Sequence, residues 1–161
     1  PAPRAARVLL RGEVLTLRRA AIEARLRRLQ NVICRLRKLR ETPLPQFCEN
    51  EGTQWLAERG LHLGCEIVLD VGAHLLSGAF GRPAETYEQI LSGLGREGVL
   101  SPELVEEVGG LGGFRNILVH AYLDLDPERV WAVLQRAPDR FEQFAREVIA
   151  WLPDASGGPR A

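Results

Sequence analysis

The sequence predicts an all-α protein, an antiparallel bundle of about five helices. Five segments carry apolar residues at helical rather than alternating spacing. Proline, glycine and capping serine or aspartate separate these segments at short intervals. No strand alternation, internal repeat or nucleotide-binding glycine loop competes with this reading.

Residues 1–15 read as a flexible extension, because Pro1, Pro3 and Gly12 break any pattern. From Thr16 to about Glu41, Leu17, Ala21, Leu26, Leu29, Ile33, Leu36 and Leu39 recur at helical spacing among arginines. Thr42-Pro43-Leu44-Pro45 ends that helix. A second helix, from Glu49 or Thr53 to Leu76, has Trp55, Leu56, Leu63, Ile67, Val68, Val71 and Leu75 as its expected spine, and Gly78 to Pro83 closes it. A third, short helix spans about Ala84–Gly95 and carries Tyr87, Ile90, Leu91 and Leu94. Ser101-Pro102-Glu103-Leu104 starts a fourth, with serine as cap and proline in the first turn. It is expected to reach Ala121 or Tyr122, although Gly109, Gly110, Gly112 and Gly113 weaken its middle. These glycines are not a phosphate loop, since no strand precedes them and no Lys-Ser/Thr follows. They are expected to let two helices approach closely. Asp126-Pro127-Glu128 starts the last helix, with Val130, Trp131, Leu134, Phe141, Phe144, Val148, Ile149 and Trp151. Residues 153–161 read as a disordered tail.

A chain of 161 residues suits one domain with a real core. No run approaches 18 consecutive apolar residues, so no membrane-spanning helix is expected, and Val8-Leu9-Leu10 is too short for a signal-peptide core. Cys34, Cys48 and Cys65 are odd in number and contain no CxxC, which points to neither a disulfide framework nor a zinc site. Cytoplasm is the expected compartment. The zero net charge conceals an asymmetry: residues 1–40 hold eleven arginines and Lys38 against Glu13 and Glu23, a local +10. Such a segment is either a solvated helix face or an attraction for phosphate or an acidic partner.

The segment FRNILVHAYLDLD, residues 114–126, concentrates chemistry at the end of the fourth helix. At about 100° per residue, Leu104, Val108, Leu111, Phe114 and Leu118 share a core stripe. Asn116 and His120 share another face, and Arg115 lies close to the apolar stripe. A half-buried guanidinium there is costly unless an anion meets it. Taken singly, such a histidine or arginine also reads as solvated or as complementing the helix dipole. Taken together they suit RNA cleavage without a metal, which needs a base for the 2′-hydroxyl proton and a cation for the charge growing on phosphate. Histidine titrates near neutrality, and arginine stays charged with a planar fork of donors. Asn116, one turn before His120, suits orienting the imidazole or bonding a phosphate oxygen.

Arg115-Asn116-Ile117-Leu118-Val119-His120-Ala121-Tyr122 resembles the Arg-x4-His-x-Tyr motif of HEPN toxins, in particular their HepT-like branch. LHLGCEIVLDVGAHLL, ETYEQILSGLGREGVL and GFRNILVHAYLDLDPERVWAVL follow that branch in order and spacing, so the resemblance covers Thr16 to Leu152. It implies a HEPN-like domain over residues 16–152 that dimerises through the motif helix, with the motifs lining a cleft between subunits. It also implies a metal-independent endoribonuclease, with no cofactor, acting as the toxin of a type VII-like system. The implied partner is a minimal nucleotidyltransferase (MNT) antitoxin that adenylylates the motif tyrosine. On this resemblance Arg115 and His120 are catalytic, Asn116 assists, and Tyr122 is the modified residue. The first fifteen residues lie outside it.

Asp70 and His74, and likewise His62 and Glu66, are four apart on the second helix, but no further ligand lies at a helpful spacing for a metal. Asp70 or Glu66 is a candidate acid at the border of the cleft. Trp55, Trp131 and Trp151 sit at core spacings and are expected to pack rather than to stack on bases. Two other functional classes compete with the toxin: a non-catalytic HEPN-like module binding nucleotide, nucleic acid or the transferase, and a purely structural helical dimer. The intact set of Arg115, Asn116, His120 and Tyr122 favours the enzyme.

Overall fold

Leu26, Leu29, Ile33 and Leu36 fall on one stripe of the first helix, α1 (Arg19–Arg40), and all are buried. The computed structural model describes residues 19–120 and 125–152, with the backbone alone for Val119 and His120. The expected extension at 1–15 and tail at 153–161 lie outside the described residues. The described chain is wholly helical apart from its connections, and it has six helices where five were expected. The additional one is α2 (Leu44–Glu49). Pro45, read in the sequence as part of a stop, sits in its first turn, where a missing N–H costs nothing. Phe47 anchors α2 by being fully buried.

The long helix α3 (Glu51–Phe80) is capped by Asn50, whose side chain accepts from Thr53 N at 2.8 Å. It runs through Gly78 and ends only at Gly81, where φ is +63° and glycine supplies the left-handed residue that closes the last turn. Helix α4 (Tyr87–Arg96) begins later than expected, because Thr86 and Gln89 form a capping box and Pro83 stays in the connection. Helix α5 (Pro102–His120) is continuous through its glycines. The expected continuation to Ala121 or Tyr122 lies outside the described residues. Helix α6 (Pro127–Trp151) is capped by Asp126 and accommodates a buried Pro138 in its interior.

Helix α3 is the axis of the bundle, packed against α1, α4, α5 and α6. By length and composition alone it could cross a membrane, with a window of mean hydropathy 1.4, although Glu58, Arg59, Glu66 and Asp70 interrupt any continuous apolar run. Here Glu66 and Asp70 within it face cations from α5 and α1, and its buried stripe of Ala57, Leu61, Val68, Val71 and Leu75 forms the core. Trp55 and Leu56, expected in that spine, are instead 77% and 62% exposed. Measured from Leu61, they stand about 120° and 140° round the helix, off the buried stripe. Trp131 is half-buried and donates to Thr42 O at 3.0 Å, and Trp151 packs on Phe80 with ring centroids 5.4 Å apart. Ile149, also expected in a spine, is 51% exposed.

Neighbouring helices meet where side chains are missing. A Cβ on Gly64 would enter the Phe141 ring, and one on Gly72 would meet Ile90. Gly93 faces Leu76 and Gly95 faces Val105. Among the α5 glycines only Gly112 makes the expected close approach, with the Tyr87 ring over it. Gly109, Gly110 and Gly113 have open space around their Cβ positions. These contacts set directions. Pairs Gly72–Ile90 and Gly93–Leu76 make α4 parallel to α3, while Gly95–Val105 and Gly112–Tyr87 make α5 antiparallel to both. The end of α5 therefore descends toward the beginning of α3.

The basic surface of α1 is partly neutralised across helices. Arg37 reaches Glu142 at 2.8 Å and Asp139 at 3.0 Å, and Arg40 reaches Asp139 at 2.8 Å. The Arg37 guanidinium holds both carboxyls below the ordinary carboxylate range. Ser101 ties α5 to α6: its N–H and hydroxyl donate to the Glu147 carboxylate at 2.7 and 2.9 Å.

Glycine replacements are expected to split by site. Gly112→Ala places a Cβ 2.5 Å from Tyr87 Cδ1 and is expected to lose about 1–3 kcal/mol by overpacking. Gly109→Ala and Gly113→Ala are expected to gain up to about 1 kcal/mol from helix propensity. Urea denaturation of the three variants checks the opposite signs.

Candidate functional site

Arg115 stands where the core stripe of α5 meets its outer face, with 29% of its side chain exposed. Leu104, Val108, Leu111 and Phe114 are buried beside it, and Leu118 is half-buried. The anion that a half-buried guanidinium needs comes from α3. Arg115 Nε and Nη2 each donate to Glu66 Oε1 at 2.7 Å, while Nη1 donates to Asn116 Oδ1 at 3.3 Å. The candidate Arg115, Asn116 and Glu66 are thus brought together. Two of three guanidinium nitrogens share a single carboxylate oxygen, so the cation is tethered at one edge rather than enclosed.

The other candidate acid, Asp70, lies one turn further along α3 and accepts from Arg25 Nε of α1 at 2.5 Å. It is separated from Arg115 by that pairing. An open groove bordered by Arg25, Arg28, Glu66 and Asp70 runs beside the Glu66–Arg115 contact. His62 lies one turn before Glu66 on α3, its Nε2 3.6 Å from the oxygen that holds Arg115. Arg59 Nη1 lies 3.5 Å from His62 Nδ1. Sequence reasoning paired His62 with Glu66 but did not connect Arg59 to them. The i, i+3, i+4 spacing of 59, 62 and 66 was the available signal. Among the described residues no three His, Cys, Asp or Glu side chains gather to hold a metal. His74 is not drawn into this group.

The backbone of His120 is the last residue of α5, and its side chain lies outside what the structure describes. Tyr122 lies outside the described residues altogether. Two apolar residues of α5 beside the core stripe are partly covered within the chain. Val105 is half-buried against Gly95, and Ile117 is half-buried while Asn116 is exposed.

Directly behind the site, Cys65 is fully buried, and its thiol points at Leu111 O, 3.9 Å away. Burial pushes the thiol up to about 12, with the Glu66 carboxylate adding to the effect. The backing of the site is therefore dry and its chemistry faces outward.

Residues 22–148 match the family described as Ribonuclease HepT-like. A tRNA nuclease HepT from Aphanizomenon flos-aquae (strain 2012/KM1/D3) is 28% identical over 131 residues, covering 81% of this chain and 89% of that one. Among solved structures, the tri-AMPylated Shewanella oneidensis HEPN toxin in complex with MNT antitoxin superposes with a TM-score of 0.73. It is 22% identical, covering 80% of this chain and 96% of that one. YutE, a cytosolic protein of unknown function from Bacillus subtilis, gives a TM-score of 0.73 at 23% identity, covering 89% and 96%. At these identities the two structures share the fold.

The cysteines are expected to report on this backing. At pH 8 the exposed Cys34 should react with a thiol reagent, while Cys65, buried and with its thiol pushed up by burial, should label far more slowly. Peptide mass mapping after timed alkylation, native and in denaturant, checks this. Rapid native labelling of Cys65 would mean that the α3–α5 contact is open.

Proposed function

The chain belongs to the Ribonuclease HepT-like family, and we propose from that premise that it is the toxin of a HEPN/MNT pair. On this reading it is a metal-independent endoribonuclease of the cytoplasm, silenced when a minimal nucleotidyltransferase adenylylates Tyr122. The observation that carries the reading is Arg115, half-exposed and held at one edge by Glu66, five residues before the histidine that ends α5. A guanidinium so placed is oriented by protein on one side and open to a phosphate on the other.

In the reaction, His120 takes the proton of a 2′-hydroxyl, and the freed oxygen attacks the adjacent phosphorus. The bond to the 5′-oxygen breaks, and that oxygen takes a proton from an acid. Arg115 stabilises the charge gathering on the phosphate oxygens, and Asn116 steadies the imidazole or a phosphate oxygen. One chain brings a single motif histidine. A two-fold pairing of α5 with a second copy supplies a second, so that one acts as base and the other as acid. Glu66 acts through Arg115, fixing its direction, and is a positioning residue. Asp70, engaged with Arg25, stands at the border of the same groove.

Regulation follows from charge. Nucleotide phosphate attached to Tyr122, two residues beyond His120, competes with substrate phosphate for Arg115. The relatives support this partner class: the S. oneidensis HEPN toxin is AMPylated and bound to an MNT antitoxin.

His120→Ala and Arg115→Ala are each expected to slow RNA cleavage by about 10²- to 10⁴-fold and to relieve growth inhibition, with the helical circular dichroism spectrum retained. Cleavage by the wild type should persist in EDTA. Wild-type rates from purified His120→Ala would defeat the assignment.

Tyr122→Phe is expected to remain toxic and to escape silencing by the transferase. Intact-mass measurement after incubation with transferase, ATP and magnesium should show AMP-sized additions on the wild type alone. Additions persisting on Tyr122→Phe would place the modification elsewhere.

A further inference from the structure

Trp55 is 77% exposed and Leu56 beside it 62%, the two most exposed large apolar side chains among the described residues. The helical register gives Trp55 a definite relation to the candidate site. At 100° per residue, positions 55, 59, 62 and 66 of α3 fall within about 60° of one another. They form one stripe, nearly opposite the buried stripe of Ala57, Leu61, Val68 and Leu75. The contacts follow it: Glu66 holds Arg115, His62 lies 3.6 Å from the same carboxylate oxygen, and Arg59 lies 3.5 Å from His62. Trp55 continues the stripe one turn beyond Arg59. The rise from Glu66 to Trp55 is about 16 Å, the length of a few nucleotides of single strand. Because α5 is antiparallel to α3, its last turn after Arg115 descends beside the Glu66 end of this stretch.

We infer that Trp55 and Arg59 form an accessory subsite for single-stranded RNA, the indole stacking on a base and the guanidinium meeting a phosphate, a few nucleotides from the phosphate at Arg115. The inference rests on the ribonuclease reading above. An exposed aromatic plane beside cations is the combination that single-stranded nucleic acid requires, since every base has a face to stack and every nucleotide a charge to neutralise. A duplex presents no free base faces, so the occupant is a single strand. The acids nearby do not oppose it. Glu66 is engaged with Arg115, Glu58 stands about 100° round the helix from Arg59, and Glu51 sits in the first turn of α3, where the helix dipole offsets its charge.

The test is fluorescence anisotropy with a short single-stranded RNA whose 2′-hydroxyls are methylated, titrated with wild type, Trp55→Ala and Arg59→Gln at several salt concentrations. Cleavage kinetics on unmodified RNA and light scattering run in parallel. Trp55→Ala removes an exposed side chain and is expected to weaken binding roughly 5- to 150-fold at an unchanged salt slope. It should raise KM while sparing kcat. Arg59→Gln should lower the log–log salt slope by about 0.7, the share of one phosphate on a single strand. An abasic site at one position should weaken the wild type but not Trp55→Ala. If both variants bind and cleave as the wild type does, the subsite is overturned and the ribonuclease reading stands. If the wild type neither binds nor cleaves RNA, both fall together. If Trp55→Ala keeps RNA affinity but loses self-association or its hold on the transferase, the indole belongs to a protein interface and the subsite is overturned.

Discussion

Everything in this fold depends on how closely other helices can come to α3. Helices α1, α4, α5 and α6 share its surface, and a thirty-residue axis with full-sized side chains all round would hold each of them at ordinary interaxial distance. Gly60, Gly64 and Gly72 remove that volume where Leu36, Phe141 and Ile90 arrive. The aromatic and aliphatic groups of the neighbours thereby pack onto backbone. The same economy operates once more between α4 and α5, where the Tyr87 ring lies over Gly112. Together with Gly95 against Val105, that contact seats α5 on α4 at a height where Arg115 reaches Glu66.

Charge then sorts the helices. The cation-rich α1 lies against the acidic stretch of α6 through Arg37, Arg40, Asp139 and Glu142, and against α3 through Arg25 and Asp70. Part of the +10 of the amino-terminal quarter is therefore answered internally, as a solvated helix face with partners. Arg27, Arg28, Arg35 and Lys38 remain exposed on α1. Each ion pair is half-exposed and individually weak in water. Their joint effect is on register, since an α1 displaced by a turn would separate Arg25 from Asp70 and Arg37 from Glu142.

The helical class, the caps at Ser101 and Asp126 and most of the core were legible in the sequence, because 3.6-residue periodicity and capping chemistry are local. Helix α2 was not, since a six-residue helix with one proline before it and another in its first turn looks the same as a turn. Trp55, Leu56 and Ile149 were misassigned to spines for a related reason. Apolar identity says that burial is favourable, while the angle to the buried stripe says whether a neighbour is there. At the site, the sequence made Arg115 a cation in need of an anion and named Glu66 among two candidates. Only the relative height of α3 and α5 could choose Glu66 over Asp70. That height depends on Gly112, whose role differs from that of Gly109, Gly110 and Gly113 in nothing a sequence displays.

The tether on Arg115 has an entropic side. A free arginine side chain samples many rotamers, and freezing it on binding costs up to roughly 2 kcal/mol. With Nε and Nη2 both bonded to Glu66 Oε1, that freedom is already surrendered in the folded chain, before any anion arrives. An incoming anion therefore meets a donor array whose direction is set. The ordering cost has been moved from the moment of encounter to the moment of folding, where hydrophobic burial in the core behind Cys65 can bear it.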